Sequence, residues 1–140
     1  MRGPELPPTS KALQRVQDMA KKTVLIIDDE RSSLQFTQLV LEREGFLVIS
    51  ANDGKQGFEL AKQLRPDMVL CDIVMPGLDG FQTFALFKTD TDLAKIRWVF
   101  ISGNPDVERL ASQAKLGKED FIVKPFSLSK LLAALAAKSP

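Results

Sequence analysis

The chain has 140 residues, 44% hydrophobic and 26% charged, with a formal charge of +1; this suits one ordinary globular domain and disfavours direct binding of nucleic acid. No apolar run reaches the roughly 18 residues needed to span a membrane, and the first residues lack the apolar stretch of a secretory signal, so a cytoplasmic location is expected. There is no histidine and one cysteine, Cys71, which excludes an internal disulfide, a Ser-His-Asp triad and a His-ligated metal; any chemistry must use carboxylates, hydroxyls, lysine or a hard metal ion.

Residues 1–22 read as an N-terminal tail or linker ahead of a domain over 23–140. Pro4, Pro7 and Pro8 disfavour regular structure at the start. From about Ser10 to Lys22, Ala12, Leu13, Val16, Met19 and Ala20 fall three or four apart, which is helical spacing. From Thr23 onward, short apolar segments alternate with longer amphipathic ones. Strands are predicted at about 23–28, 46–50, 67–71, 97–101 and 120–123, apolar and often β-branched, as strands covered on both faces should be. Cys71 lies inside the third and reads as a small buried hydrophobe.

Helices are predicted at about 31–44, 54–64, 79–88, 105–115 and 127–137. The first has a wide apolar face, with Phe36, Leu39 and Val40 beside Leu34 and Leu41, and Gly45 is its expected stop. The second ends before Pro66. Asp79 is an expected helix cap, Gly77 and Gly80 serve turn geometry, and Ser127 is a good N-cap for the fifth helix. On that helix Leu128, Leu131, Leu132 and Leu135 are expected to face the core, leaving Ala133, Ala134, Ala136 and Ala137 outside. Five strand–helix units predict an α/β doubly wound parallel sheet with helices on both faces.

Polar residues stand where the buried strands end. Asp28 and Asp29 close the first apolar run, Asp72 the third, Ser102 the fourth and Lys124 the fifth; the second ends near Ser50. The gaps are about 22 residues, with one of 30, the length of a strand, a crossover helix and its loops. Ligands of open parallel sheets bind beyond the carboxyl ends of the strands. Three acids, a hydroxyl and an amine are therefore expected to converge on one crevice. Three carboxylates there repel, so either their pKa values rise or a cation neutralises them. Oxygen-only ligands favour a hard divalent ion such as Mg2+.

These residues carry a resemblance. The stretches Val24-Leu-Ile-Ile-Asp-Asp-Glu30, Ala51-Asn-Asp-Gly54, Asp72-Ile-Val-Met-Pro-Gly77, Phe100-Ile-Ser102 and Phe121-Ile-Val-Lys-Pro-Phe126, in this order, resemble a response-regulator receiver domain of two-component signalling. The resemblance covers residues 23–137. It implies a flavodoxin-like sheet of order 2-1-3-4-5. It further implies that Asp72 is phosphorylated, that Asp29 binds Mg2+ directly with Asp28 acting through water, and that Asp72 and the Val74 backbone carbonyl complete the metal ligands. Lys124 is expected to hold a phosphoryl oxygen, Ser102 to be the switch hydroxyl and Phe121 the switch aromatic. Val74 and Asn104 stand where the family tunes phosphoryl lifetime, and the Lys124-Pro125 bond is expected cis.

The implied donor is a phosphohistidine on a sensor histidine kinase or a histidine phosphotransfer protein. The implied signalling surface is the fourth helix, fifth strand and fifth helix, acting on an unknown output partner or a missing output domain. The chain reads as a single receiver or one excised from a longer regulator, with no room after it for a DNA-binding or enzymatic domain. A homodimer stays among the expected assemblies. The charged pairs by which winged-helix relatives dimerise are missing, because the fifth helix carries Lys130, Ala134 and Ala137 at those positions. Two rivals remain: a degenerate receiver that only binds, and an Mg2+-dependent phosphatase of the haloacid dehalogenase type, whose Asp-x-Asp motif would need an acid at Val74.

Overall fold

The computed structural model describes residues 22–137; the expected tail helix lies outside them apart from Lys22. Five parallel strands form one sheet: β1 (Thr23–Ile27), β2 (Leu47–Ala51), β3 (Met68–Asp72), β4 (Arg97–Ser102) and β5 (Phe121–Val123). Their spatial order is β2-β1-β3-β4-β5, as the resemblance implied. Five helices connect and follow them: α1 (Arg31–Arg43), α2 (Gly54–Leu64), α3 (Gly80–Phe87), α4 (Val107–Ala114) and α5 (Leu128–Ala136). Short 3-10 turns at Leu93–Lys95 and Lys118–Asp120 precede β4 and β5. Every element predicted from Thr23 onward is present, with its ends displaced by two residues or fewer.

Successive strand residues point to opposite faces, so the sheet separates two cores. Val24, Ile26, Met68, Leu70, Val99 and Ile101 pack with Leu41, Leu131 and Leu135 of α1 and α5. Leu25, Ile27, Val69, Cys71, Trp98, Phe100 and Phe121 pack with Ala61, Phe87 and Ala111 of α2, α3 and α4. Strands buried on both faces explain the near-continuous apolar runs.

Local chemistry sets the helix ends. Asp53 caps α2 by accepting from the Gln56 N–H at 2.7 Å. Asp79 and Gln82 form a reciprocal capping box on α3, and Ser127 accepts from the Lys130 N–H at the start of α5; both caps were expected. Gly45 has φ 96°, a left-handed turn that suits glycine after α1.

The faces of two helices differ from the expectation. On α5, Ala134 is buried and Leu128 is exposed. Leu131 and Leu135 fill the core as expected, but the helix is rolled so that Ala134 joins them there, with its carbonyl accepting from Arg97. On α1, Phe36 is 64% exposed and Leu39 50%, because the helix buries only Thr37 and Leu41 against the sheet.

Candidate functional site

Parallel register decides what meets at the carboxyl edge. Ile27 pairs with Cys71, so Asp28, the next residue, is level with Asp72. Asp72 pairs with Ile101, and Ser102 with Val123. Lys124 therefore starts beyond the edge of β5 and reaches back over β4. Its Nζ lies 3.4 Å from Asp72 Oδ2 and 3.7 Å from Asp28 Oδ2. Carboxylate oxygens of Asp28, Asp29 and Asp72 lie within 4.8 Å of one another. Asp28 is buried and accepts the Glu30 N–H at 2.9 Å; Asp29 is exposed.

The turn after β3 is shaped around the same point. Gly80 opens α3 so close to the strand end that a Cβ would meet the Asp72 carbonyl oxygen at 2.5 Å. Its N–H donates to the Ile73 carbonyl at 2.7 Å. Any larger residue would push α3 off the site. Gly77 has φ 74° in the same turn, and Val74, two residues past Asp72, is 81% exposed beside it. The Lys124-Pro125 bond is cis, as the resemblance implied.

Three acids facing one lysine leave an excess of negative charge. Burial pushes the Asp72 carboxyl up to about 6; Lys124 pulls the other way, and Asp28 and Asp29 push it further up. The Cys71 thiol is raised chiefly by burial and then by Asp72. A hard oxygen donor set with uncompensated negative charge fits a small divalent cation, which would offset the repulsion.

Ser102 lies at this edge and Phe121 at the start of β5, three residues before Lys124, and both are engaged elsewhere. The Ser102 hydroxyl is buried; it donates to the Asn104 carbonyl at 3.1 Å and accepts the Asn104 N–H at 2.9 Å. Phe121 is stacked on Phe100, ring centroids 5.0 Å apart, and touches Phe81. The structure thus brings together four of the five convergent groups, the acids and the lysine, and leaves the hydroxyl turned into its own loop.

The family model for the response regulator receiver domain matches residues 24–136. The chain belongs to the response regulator receiver family. It is therefore a receiver domain of two-component signalling. It is 38% identical over 118 residues to the response regulator GtcR of Aneurinibacillus migulanus, a match covering 84% of this chain and 47% of that protein. It is 29% identical over 121 residues to the DNA-binding response regulator MtrA of Mycobacterium tuberculosis, covering 86% and 52%. The receiver spans about half the length of such relatives.

Solved receivers agree in fold. A receiver domain protein from Clostridium thermocellum superposes with a TM-score of 0.74 at 25% identity, covering 84% of this chain and 93% of that one. The N-terminal domain of a response regulator receiver protein from Methanoculleus marisnigri JR1 gives 0.68 at 29%, covering 83% and 94%. Among the described residues, no helix is long and apolar enough to cross a membrane.

Arg97 is the buried charge that the sequence reading missed. It sits at the opposite, amino end of β4 and donates to Asp120 at 2.5 Å and to the carbonyls of Glu119 and Ala134. Its position at the head of an apolar strand, 23 residues before an acid at the head of the next, was the only signal available.

Proposed function

We propose that Asp72 accepts a phosphoryl group from a phosphohistidine on a sensor histidine kinase or histidine phosphotransfer protein, and that the modification resets the surface of α4, β5 and α5. The observation that carries this reading is the half-buried Asp72 carboxylate held 3.4 Å from Lys124 and beside Asp28 and Asp29. In the transfer an Asp72 oxygen forms a bond to phosphorus while the histidine N–P bond breaks, and the imidazole nitrogen keeps that electron pair. Lys124 holds a phosphoryl oxygen and offsets its developing charge. Asp29 and Asp72, with Asp28 through water and the Val74 carbonyl, would hold Mg2+. When bound, Mg2+ supplies the positive charge that lets three acids and a phosphoryl dianion share one crevice.

The donor must approach over the rim of this crevice. A depression there is lined by Glu30, Ser33, Phe36, Thr37, Lys124 and Phe126, and exposed Phe36 gives it an apolar anchor. The acyl phosphate then adds one to two negative charges, to which Ser102 donates once it turns inward; Phe121 follows at the α4–β5–α5 face. The receiver works in the cytoplasm and catalyses only its own phosphorylation and dephosphorylation. Its output is a partner or an output domain, and binding of nucleic acid is not assigned to this domain.

Incubation with acetyl phosphate and Mg2+ followed by mass measurement tests this. A gain of one phosphoryl, absent in Asp72→Asn, is expected. No gain in the wild type would mean a binding-only receiver, and rapid turnover of many phosphate esters would mean a phosphatase.

A further inference from the structure

We propose that the cavity beside Trp98, towards the amino end of β4, binds a small aromatic carboxylate. The site is separate from the acid cluster. Trp98 pairs with Val69, three residues before Asp72 on β3, which is about 10 Å along the strands.

A cavity of about 230 Å³ opens between α3, the turn Leu93–Lys95 and β4. That is several times the roughly 30 Å³ share of one water in the liquid. Phe84, Trp98, Phe100 and Leu116 supply apolar walls. The rings are fixed against one another: Phe84 meets Trp98 edge to face with centroids 5.3 Å apart, and Phe87 does the same at 4.7 Å. Such walls suit a planar aromatic body, which can meet them edge to face or offset.

The polar groups of the cavity ask for an anion. Trp98 is 5% exposed, and among the described residues its indole Nε1–H has no hydrogen-bond partner. Buried donors are nearly always paired, and indole nitrogen only donates, so the missing partner is an acceptor. Lys88 and Lys95 line the same cavity, and both are exposed. The Lys88 Nζ is held 4.7 Å from the Phe84 ring centroid and donates to the Ala94 carbonyl at 2.8 Å, which leaves two of its three donors. Arg97 and Asp120 also line the cavity but are matched to each other at 2.5 Å. The net charge of the lining is thus that of the two lysines. A carboxylate offers one oxygen to the indole and one to an ammonium, and an attached ring covers the aromatic walls. A bare inorganic anion would leave those walls against water.

The full chain has one tryptophan, so Trp98 Nε1–H gives a single indole resonance in a proton–nitrogen NMR spectrum. Benzoate at millimolar concentration is expected to shift that resonance saturably. Benzyl alcohol, with the ring but no charge, should bind on the order of tenfold more weakly, the factor of one charge-assisted hydrogen bond. Acetate, with the charge but no ring, should leave the resonance in place at the same concentration and ionic strength. Two substitutions locate the site. Lys88→Ala with Lys95→Ala alters exposed side chains and should weaken benzoate on the order of tenfold, read on the same resonance. Trp98→Phe keeps a ring in the core and removes the donor, and should weaken benzoate similarly by ligand-observed saturation transfer. An indole resonance that ignores benzoate means that water partners Trp98, and overturns the proposal. Equal binding of benzyl alcohol and benzoate, or undiminished benzoate binding in the double lysine variant, overturns it as well.

Discussion

The two ends of the sheet both bury charge, and they treat it oppositely. At the amino end, Arg97 and Asp120 are buried and matched, and the guanidinium is surrounded by acceptors from β4, the turn before β5 and α5. At the carboxyl end, three acids share one lysine, at 3.4 and 3.7 Å. A buried charge with a full set of partners is structural, because nothing remains for it to bind. A cluster with unbalanced charge is held in place by the rest of the fold and would gain stability from a cation. The contrast separates the stabilising centre of this receiver from its proposed reactive one.

Removing the proposed acceptor should give the largest effect. Asp72→Asn is expected to abolish labelling by acetyl phosphate entirely, read by intact mass. It should also stabilise the metal-free protein at neutral pH. Burial raises the folded carboxyl from its ordinary value of 3.8 to about 6. Its contribution to stability is thus fully present below pH 3.8 and is lost as pH rises through about 6. Without Mg2+ the variant should melt higher than the wild type at pH 7, and the gap should close towards pH 4. A wild type that matches the variant at pH 7 would mean that the acids at this end are already compensated.

The amino end should respond in the opposite sense. Arg97→Ala leaves the Asp120 carboxylate buried without its guanidinium and the Ala134 carbonyl without a donor. Breaking a buried pair from one side costs about 3–5 kcal/mol, a fall in Tm of roughly 10–20 °C for a domain of this size. Labelling of Asp72 in the folded fraction, measured well below that Tm, should be unchanged. Loss of labelling at unchanged Tm would invert the assignment of the two ends.

That pairing also marks the limit of what could be read from the chain. Five residues at the strand ends announced the carboxyl edge, because near-continuous apolar runs ending in acids, serine and lysine have few alternative readings. The sheet order came with the resemblance. Arg97 was placed correctly at the head of β4, yet a strand pattern does not say that a cation beginning an apolar run is buried. Its partners lie 23 and 37 residues away, and only the packed fold brings them together. The same blindness misplaced Ala134, whose side chain joins the core on the face of α5 that packs against the sheet and whose carbonyl accepts from Arg97. Ser102 was foreseen as a site residue, but its bonds to Asn104 depend on a loop conformation that side-chain spacing does not encode.

A metal should narrow the contrast between the ends. Mg2+ at one hundred times its dissociation constant is expected to stabilise the wild type by about 2.7 kcal/mol, a rise in Tm of roughly 10 °C. Asp29→Ala should lose most of this shift. Fluorescence is a poor second readout here, because Trp98 pairs with Val69, three residues before Asp72 on β3, and lies on the amino side of the sheet. A full Tm shift in Asp29→Ala would remove that acid from the metal site.

The smallest expected effect comes from an ion pair with nearly the geometry of Arg97–Asp120. Arg65 and Asp92 meet at 2.6 Å, against 2.5 Å for the buried pair, but their side chains are 59% and 65% exposed. In water the Coulomb gain is offset by hydration already available to both groups and by the entropy of holding two side chains still, so exposed pairs contribute about 0–1 kcal/mol. Asp92→Ala is the cleaner deletion, because Arg65 ends α2 in a left-handed conformation with φ 49°, and replacing it would mix backbone strain with charge. The Asp92 N–H still has its bond to Asp90, so the turn before β4 should persist. We expect a loss below about 1 kcal/mol by denaturant unfolding, reduced further in 0.5 M salt. A loss comparable with that of Arg97→Ala would mean that distance, and not desolvation with a complete set of acceptors, makes the amino end the anchor of this fold.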